Sequence, residues 1–343
     1  MQARRSVISR VSGRDDIRAE VTMGRTIYRI LIVLTVSLGL ASAQQAPSSS
    51  SVVRQSLDDA WWTGPMLTPN ATTMPRGHLL IESYLYDVIS AHANQLGTRT
   101  YVNYGLMDRV TVGLIPTTGF NVANSGPSSS GIELGDLTLQ GQYRLAKFRE
   151  GGWIPTMSIV LQQTVPTGKY DRLGDRLSDG LGNGAYTTNF AVYTQTYFWL
   201  PNHRILRMRF DASQALSHEV NVEDVSVYGT TAGFRGQAKP GSSFLADSSW
   251  EYSVTRKWVL ALDVTYTHNW NTRVTGCDFY PNSGQNPSSV LLNSGSSEVF
   301  AFAPAVEHSW KSNLGVLLGT RVIPPSHNTN STVTPAIAIN YVR

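Results

Sequence analysis

A single cysteine, Cys277, stands in a chain of 343 residues. This excludes a disulfide framework and any zinc or iron–sulfur site built from several thiolates. Charge is scarce as well, at 15% of residues against 41% hydrophobic. A disordered chain has the opposite balance. No stretch reaches the roughly 20 consecutive apolar residues that a membrane-spanning helix requires. The formal net charge is +4, yet a basic surface for nucleic acid is missing. Residues 1–43 carry seven Arg and three acidic residues, which leaves 21 basic and 21 acidic residues in 44–343. No stripe of positive charge remains to follow a phosphate backbone.

The charged leader has an export signal's layout. Arg25 and Arg29 precede the apolar run Ile30–Leu40, which ends in Ala41-Ser42-Ala43. A positive start, a short apolar stretch and a small-residue cleavage site form a secretory signal peptide. Residues 1–43 are therefore expected to be removed, with Met23 an alternative start of ordinary signal length. Gln44, not Cys, follows the site, which argues against a lipoprotein anchor. Residues 44–76, rich in Ser, Pro and Thr, are expected to form a flexible N-terminal segment or small plug. Trp61-Trp62 is the exception within it and marks a plug or interface contact. Residues 77–343 form the main domain.

From Gly77 onward the pattern has period two, which is strand behaviour. Between Trp258 and Trp270 the even positions are Trp, Leu, Leu, Val, Tyr, His and Trp, while the odd ones are small or polar. Phe244, Trp250, Tyr252 and Val254 oppose Asp247, Ser249, Glu251 and Ser253 in the same way. Leu206, Met208, Phe210 and Ala212 oppose Arg207, Arg209, Asp211 and Ser213. A soluble sandwich turns Lys and Glu to bulk water, whereas these polar faces are mostly Gln, Thr, Ser and a few charges. Trp258 and Trp270 lie roughly 40 Å apart along an extended strand. At a tilt near 40° this projects to about 30 Å, close to the separation of aromatic girdles around a ~25 Å apolar band.

Twelve strands are expected near 78–88, 98–106, 109–119, 132–146, 153–166, 186–200, 204–216, 242–254, 258–271, 296–310, 314–324 and 332–342. Long connections (89–97, 120–131, 167–185, 217–241, 272–295, 325–331) then alternate with short ones. An even strand count, short turns on one side and long loops on the other describe an outer-membrane barrel. Asn221–Gly241 is read as an external loop despite the strand-like Val225–Tyr228. Three-residue turns at 201–203, 255–257 and 311–313 match Leu200 to Arg204, Val254 to Trp258 and Trp310 to Leu314, so like faces meet. Pro304 and Pro335 fall inside strands and imply a bulge or kink, read either as a tolerated irregularity or as an opening in the wall. The fold class is thus all-β, a transmembrane antiparallel up-and-down barrel.

Gly135-Asp136-Leu137-Thr138-Leu139, Gln142-Tyr143-Arg144 and Val165-Pro166-Thr167-Gly168 resemble the outer-membrane transporter family named after the meta-pathway of phenol degradation. Thr68-Pro69, Pro75-Arg76-Gly77 and the Gly-rich 179–184 stretch are similar as well. The resemblance covers roughly 66–343 and rests on turn-forming residues. It implies a barrel akin to fatty-acid and aromatic-hydrocarbon uptake channels, and small apolar or aromatic solutes as cargo. The last residues, Tyr341-Val342-Arg343, depart from the terminal aromatic usual for such barrels, leaving Tyr341 to meet the assembly machinery.

Register from the 201–203 turn sets Tyr197 beside Arg207, Gln195 beside Arg209 and Tyr193 beside Asp211, all inward. Two readings follow. Guanidiniums next to aromatic faces guide an anionic or phenolic solute; alternatively Arg207 and Arg209 neutralise Asp211, Asp247 and Glu251 in a wall network. Metal ligation has little support, because the seven His are scattered without ligand spacing. Asp171, Asp175 and Asp179 alternate with Arg172 and Arg176, which favours a solvated loop over a Ca²⁺ site. Neither G-x-S-x-G nor H-E-x-x-H occurs, so no enzyme activity and no cofactor are expected. The expected function is a passive outer-membrane channel for small hydrophobic or aromatic solutes, its partners being outer-membrane lipid, the solute and the assembly machinery. The rival is a plugged structural or adhesive barrel whose external loops bind a ligand.

Overall fold

The computed structural model describes residues 53–343 apart from Trp61, His92 and 280–286. The expected leader and Trp61 lie outside the described residues. Strands form in the order β1 (Leu79–Ile89), β2 (Ala93–Met107), β3 (Val110–Ile115), β4 (Thr117–Ala123), β5 (Glu133–Leu134), β6 (Leu137–Ala146), β7 (Thr156–Val165), β8 (Thr187–Trp199) and β9 (Ile205–Ser217). They continue with β10 (Val220–Glu223), β11 (Phe234–Lys239), β12 (Ser243–Ser253), β13 (Trp258–Asn269), β14 (Arg273–Asp278), β15 (Ser288–Asn293), β16 (Ser297–Lys311), β17 (Leu314–Ile323) and β18 (Thr332–Val342). Pro116, which has no N–H to give a ladder, divides one stave into β3 and β4. Gly135-Asp136 likewise separates β5 from β6. Counted as staves, the ring has twelve members, each antiparallel to its neighbours, and β18 closes it on β1.

Alternation decides which way each side chain faces. Trp258 is 47% exposed and Trp270 45%, whereas Asp247, Ser249, Glu251 and Ser253 are buried. Ile159, Leu161, Phe190, Phe210, Phe300, Phe302, Leu318 and Ile339 are exposed too. In water such a surface would drive aggregation; in a bilayer it is the required lipid-facing band. Rings meet at its ends, where Trp258 packs on His308 at 4.3 Å and His308 on Trp310 at 5.3 Å.

The register expected from the short turns holds where Phe198 faces Leu206 and Ser253 faces Val259. At the third turn the ladder pairs Ser309 with Gly315, then shifts and pairs Lys311 with Leu314. A bulge therefore tightens that turn to Ser312-Asn313 and leaves the faces beyond it unchanged. The prolines do not produce the expected bulge. Pro304 faces Leu262 in an unbroken β13–β16 register, and Pro335 faces Thr320 in an unbroken β17–β18 register. Each proline interrupts pairing on its other side only: Phe302–Val322 and Ala305–Gly319 bracket the first gap, and Tyr86–Ala336 and Ile89–Val333 the second, with the same register before and after.

Three connections differ from expectation. The first external link is short, since β2 begins at Ala93 and Ser90 N–H bonds Ala93 O at 3.1 Å. Alternation of Gly97, Arg99 and Tyr101 inward with Leu96, Thr98 and Thr100 outward runs on upstream, and the threonines obscure it. The 217–241 and 272–295 loops are also not irregular. They contribute the β10–β11 and β14–β15 hairpins, which join through β11 and β14 into a separate four-stranded sheet. Val222, Phe234, Ala238 and Val274 form its buried centre, with Tyr170, Tyr228 and Val290 against them. These strands are four to six residues long, too short for alternation to stand out, and the strand-like Val225–Tyr228 is the turn between them.

The N-terminal plug and the lumen

Residues 53–76 cross the interior of the ring. A chain inside a barrel must find partners for its backbone polar groups without a ladder, and here the wall supplies them. Asp263 accepts from Leu67 N–H at 3.1 Å, Thr68 N–H at 3.2 Å and Thr68 Oγ1 at 2.7 Å. Glu307 accepts from Thr63 N–H at 3.1 Å. Arg209 donates to the carbonyls of Thr68 (2.9 Å) and Thr63 (3.0 Å), and Arg207 to that of Trp62 (3.1 Å). Gln142 reaches Asn70 O at 3.0 Å, Ser158 reaches Ala71 O at 2.6 Å, and Met74 N–H reaches Thr111 Oγ1 at 2.8 Å. At the turn end Gln55 bonds Ser253 and Ile205 N–H, and Trp199 bonds Gln55 O.

Packing follows the same path. Met66 sits against Tyr84, Leu317 and the small inward residues Ala303, Ala336 and Ala338, which leave it room. Trp62 packs with Ile205 and Val259. Gly64 passes so close to Arg209 that an added Cβ would lie 2.7 Å from Nη1. At Gly105 a Cβ would meet Pro75 O at 2.0 Å, so the plug leaves the lumen over a bare backbone.

The wall residues singled out from the sequence come together. Tyr193 faces Asp211, Gln195 faces Arg209 and Tyr197 faces Arg207 across β8–β9, and Arg207 faces Glu251 across β9–β12. Arg207 holds Glu251 in a two-pronged pair, with Nε donating to Oε2 at 2.5 Å and Nη2 to Oε1. Arg209 Nε stands 3.3 Å from the same carboxylate. Trp62 lies over the Arg207 guanidinium at 5.1 Å. Both guanidiniums are 2% exposed and are spent on Glu251 and plug carbonyls. Asp211 accepts from Thr194 N–H at 3.0 Å and faces Asp247 across β9–β12.

A cavity of about 420 Å³ remains beside the plug. Tyr84, Arg99 and Tyr101 line one wall, and Gln140, Gln162, Asn189 and Tyr193 another. Gln162 donates to Gln140 at 2.7 Å, and Asn189 to Gln162 at 2.9 Å, forming an amide ladder across β6, β7 and β8. Asp263, Glu307, Gln142 and Ser158 were not among the site candidates read from the sequence, although Gln142 belongs to the motif that carries the family resemblance. Each is an ordinary inward polar residue of a strand, and nothing local shows that a plug would end on it.

The Gly-rich motifs meet at the loop end. Asp136 accepts from Gly168 N–H at 3.0 Å and Asn183 N–H at 2.8 Å, and Thr167 Oγ1 donates to Gly135 O at 2.9 Å. An added Cβ on Gly168 would fall 2.7 Å from Gly182 Cα. Asp179 pins the 167–185 loop by accepting from Ser130 N–H at 2.7 Å and Ser130 Oγ at 3.0 Å. The Ser130 backbone N–H holds its carboxyl below the usual range, with the hydroxyl and Lys169 assisting against burial. A depressed folded value means full strength above the ordinary Asp value near pH 3.9, lost as pH falls through the folded one. Pepsin cleavage of this loop, normalised to an unstructured substrate, should stay constant from about pH 5 to 4 and rise below. A flat profile down to about pH 2 would refute the pin. Among the described residues no group of three or more His, Cys, Asp or Glu is placed to hold a metal.

A sequence profile described as "Putative MetA-pathway of phenol degradation" matches residues 63–322. No curated protein matches the chain. Among solved structures, an outer membrane channel from Pseudomonas putida F1 is similar at 13% identity and TM-score 0.59, over 80% of this chain and 98% of that one. The NanC porin is similar at 10% identity and TM-score 0.43 over 76% and 98%. The Pseudomonas putida toluene transporter TodX stands at 10% and 0.40 over 78% and 89%. The first shares the fold of this chain, a closed antiparallel β-barrel of twelve staves.

Proposed function

The chain belongs to the family described by the meta-pathway of phenol degradation, and from that premise we propose that it is an outer-membrane channel passively admitting small hydrophobic or aromatic solutes. The observation that carries this is the cavity of about 420 Å³ within the barrel, bounded by Tyr84, Tyr101, Tyr193 and Tyr197 and by Met66 and Leu67 of the plug. Four tyrosine rings, set among the amides of Gln140, Gln162 and Asn189 and several charged side chains, suit a small ring-bearing solute with a polar group. The plug narrows the lumen and so disfavours bulk sugars. Arg207 and Arg209, held by Glu251, serve in this reading to hold the plug, Asp211 stays in the wall on Thr194 N–H, and Tyr193 and Tyr197 border the path. The barrel is assigned no catalytic role. Its assembly would present Tyr341, outward on β18, to the insertion machinery.

A second reading has its own support. The plug, together with the ordered four-stranded sheet on the loop side, fits a closed barrel whose loops bind a ligand. Purified protein in liposomes separates the two. Toluene entry without arabinose leakage supports the channel; permeation by both means a general pore; silence in both, from folded protein, supports the closed barrel.

A further inference from the structure

Three guanidiniums line the cavity: Arg99, Arg207 and Arg209. The last two are buried and held by Glu251 and plug carbonyls. Arg99 differs. It projects inward from the middle of β2, is exposed to the lumen, and has no ion pair within 4.0 Å among the described residues. Its surroundings are rings. Tyr84 faces it directly across β1–β2, and its Cζ stands 5.4 Å from the Tyr101 ring centre. Tyr84 and Tyr101 meet edge to face at 6.1 Å. Tyr86 lies alongside on β1, over Gly97, and Tyr193 of β8 lines the same cavity. Gly97 next to it has no side chain, and Tyr86 occupies the space a Cβ would take.

We propose that Arg99, with Tyr84, Tyr101 and Tyr193, forms a binding site for an aromatic carboxylate. The inference rests on the channel reading and deepens it by naming a class of solute. The guanidinium fork matches a carboxylate with two parallel donors. Stacking on Tyr101 holds it in place without neutralising it. The tyrosine rings offer edges and faces to the solute ring, and the cavity lies within the size range of small-molecule sites. The cavity also holds Glu82, Asp211 and Asp247. Glu82 accepts from Thr63 Oγ1 at 3.3 Å and Asp211 from Thr194 N–H, and among the described residues none of the three carboxylates lies within 4.0 Å of the Arg99 guanidinium.

The test is uptake of radiolabelled benzoate, acetate and toluene by proteoliposomes holding wild-type protein, Arg99→Gln, Arg99→Lys or Tyr193→Phe. Folding of each is checked by its heat-shifted mobility on a gel. Wild type should admit benzoate faster than acetate. Arg99→Gln should lower benzoate entry by about tenfold or more, the loss expected for a charged hydrogen-bonded pair, and leave toluene entry unchanged. Arg99→Lys should recover part of it. Tyr193→Phe keeps the ring, the contact assigned to it, and should leave benzoate entry near that of wild type; the partial loss in Arg99→Lys is the readout that survives if Arg99→Gln does not fold. Benzoate entry unaffected by Arg99→Gln overturns the site. So does a parallel fall for benzoate and toluene, or an equal loss for acetate and benzoate. Wild type that admits toluene but not benzoate overturns this inference alone; wild type that admits neither overturns the channel reading itself.

Discussion

Glu251→Gln is expected to destabilise the folded barrel by about 3–5 kcal/mol, the range for removing one partner of a buried ion pair. Glu251 is fully buried and is the carboxylate that both Arg207 and Arg209 hold. Without its charge two guanidiniums remain inside, with only neutral carbonyls, those of the plug and of the new amide, against them. Urea unfolding in detergent, followed by heat-shifted mobility, reads the change. A companion variant makes the cause specific: Arg207→Met, Arg209→Met and Glu251→Leu together remove every charge of the cluster. Such replacements are often neutral or stabilising, so the triple variant should be more stable than Glu251→Gln alone. A loss under about 1 kcal/mol for Glu251→Gln, as for a surface pair, would show that the cluster is not sealed from water.

Deletion of residues 53–76 is expected to raise arabinose permeation through the reconstituted barrel by an order of magnitude or more. An eight-stranded barrel fills its interior with side chains, and diameter grows with strand number. A twelve-membered ring therefore encloses space that side chains alone do not close. Here the closure comes from Trp62, Met66 and the backbone of 63–72. A gentler variant, Asp263→Asn with Glu307→Gln, keeps the ring intact and weakens the docking of Thr63, Leu67 and Thr68. It should give an intermediate permeability. Liposome swelling measures both; arabinose rates equal to wild type from folded protein would mean that another part of the chain closes the lumen.

How much of this was legible beforehand depends on the range of the interactions. Strand existence, facing and the pairing of Tyr193 with Asp211 follow from period two and one turn length, both local. The ring of twelve follows from loop alternation. The exceptions are non-local or short. Pro304 and Pro335 carry no sign of which neighbour loses its bonds, and only the assembled sheet shows that one side yields while the register persists. β10, β11, β14 and β15 acquire their apolar face only by meeting across two separate loops. Arg207 and Arg209 were visible as inward charges with two readings open. The choice between them depended on where Thr63 and Thr68 come to rest, more than a hundred residues away in the chain. Arg99 was hidden for a related reason: its freedom from a carboxylate is a property of the whole cavity.

Because the wall grips the plug mainly by its peptide groups, the plug's own side chains carry little of the recognition. Asp263, Glu307, Arg209 and Gln142 bind N–H and C=O groups that every residue type except proline offers alike. Apart from the Thr68 hydroxyl given to Asp263 and the Thr63 hydroxyl given to Glu82, the segment between Thr63 and Asn70 is thus free to drift in evolution while still seating, with two further kinds of exception. Gly64 is held to glycine by the Arg209 guanidinium, and proline is barred at Thr63, Leu67 and Thr68, whose N–H groups are taken. Selectivity can then be retuned at positions such as Met66 and Leu67, which border the cavity, without redesigning the latch.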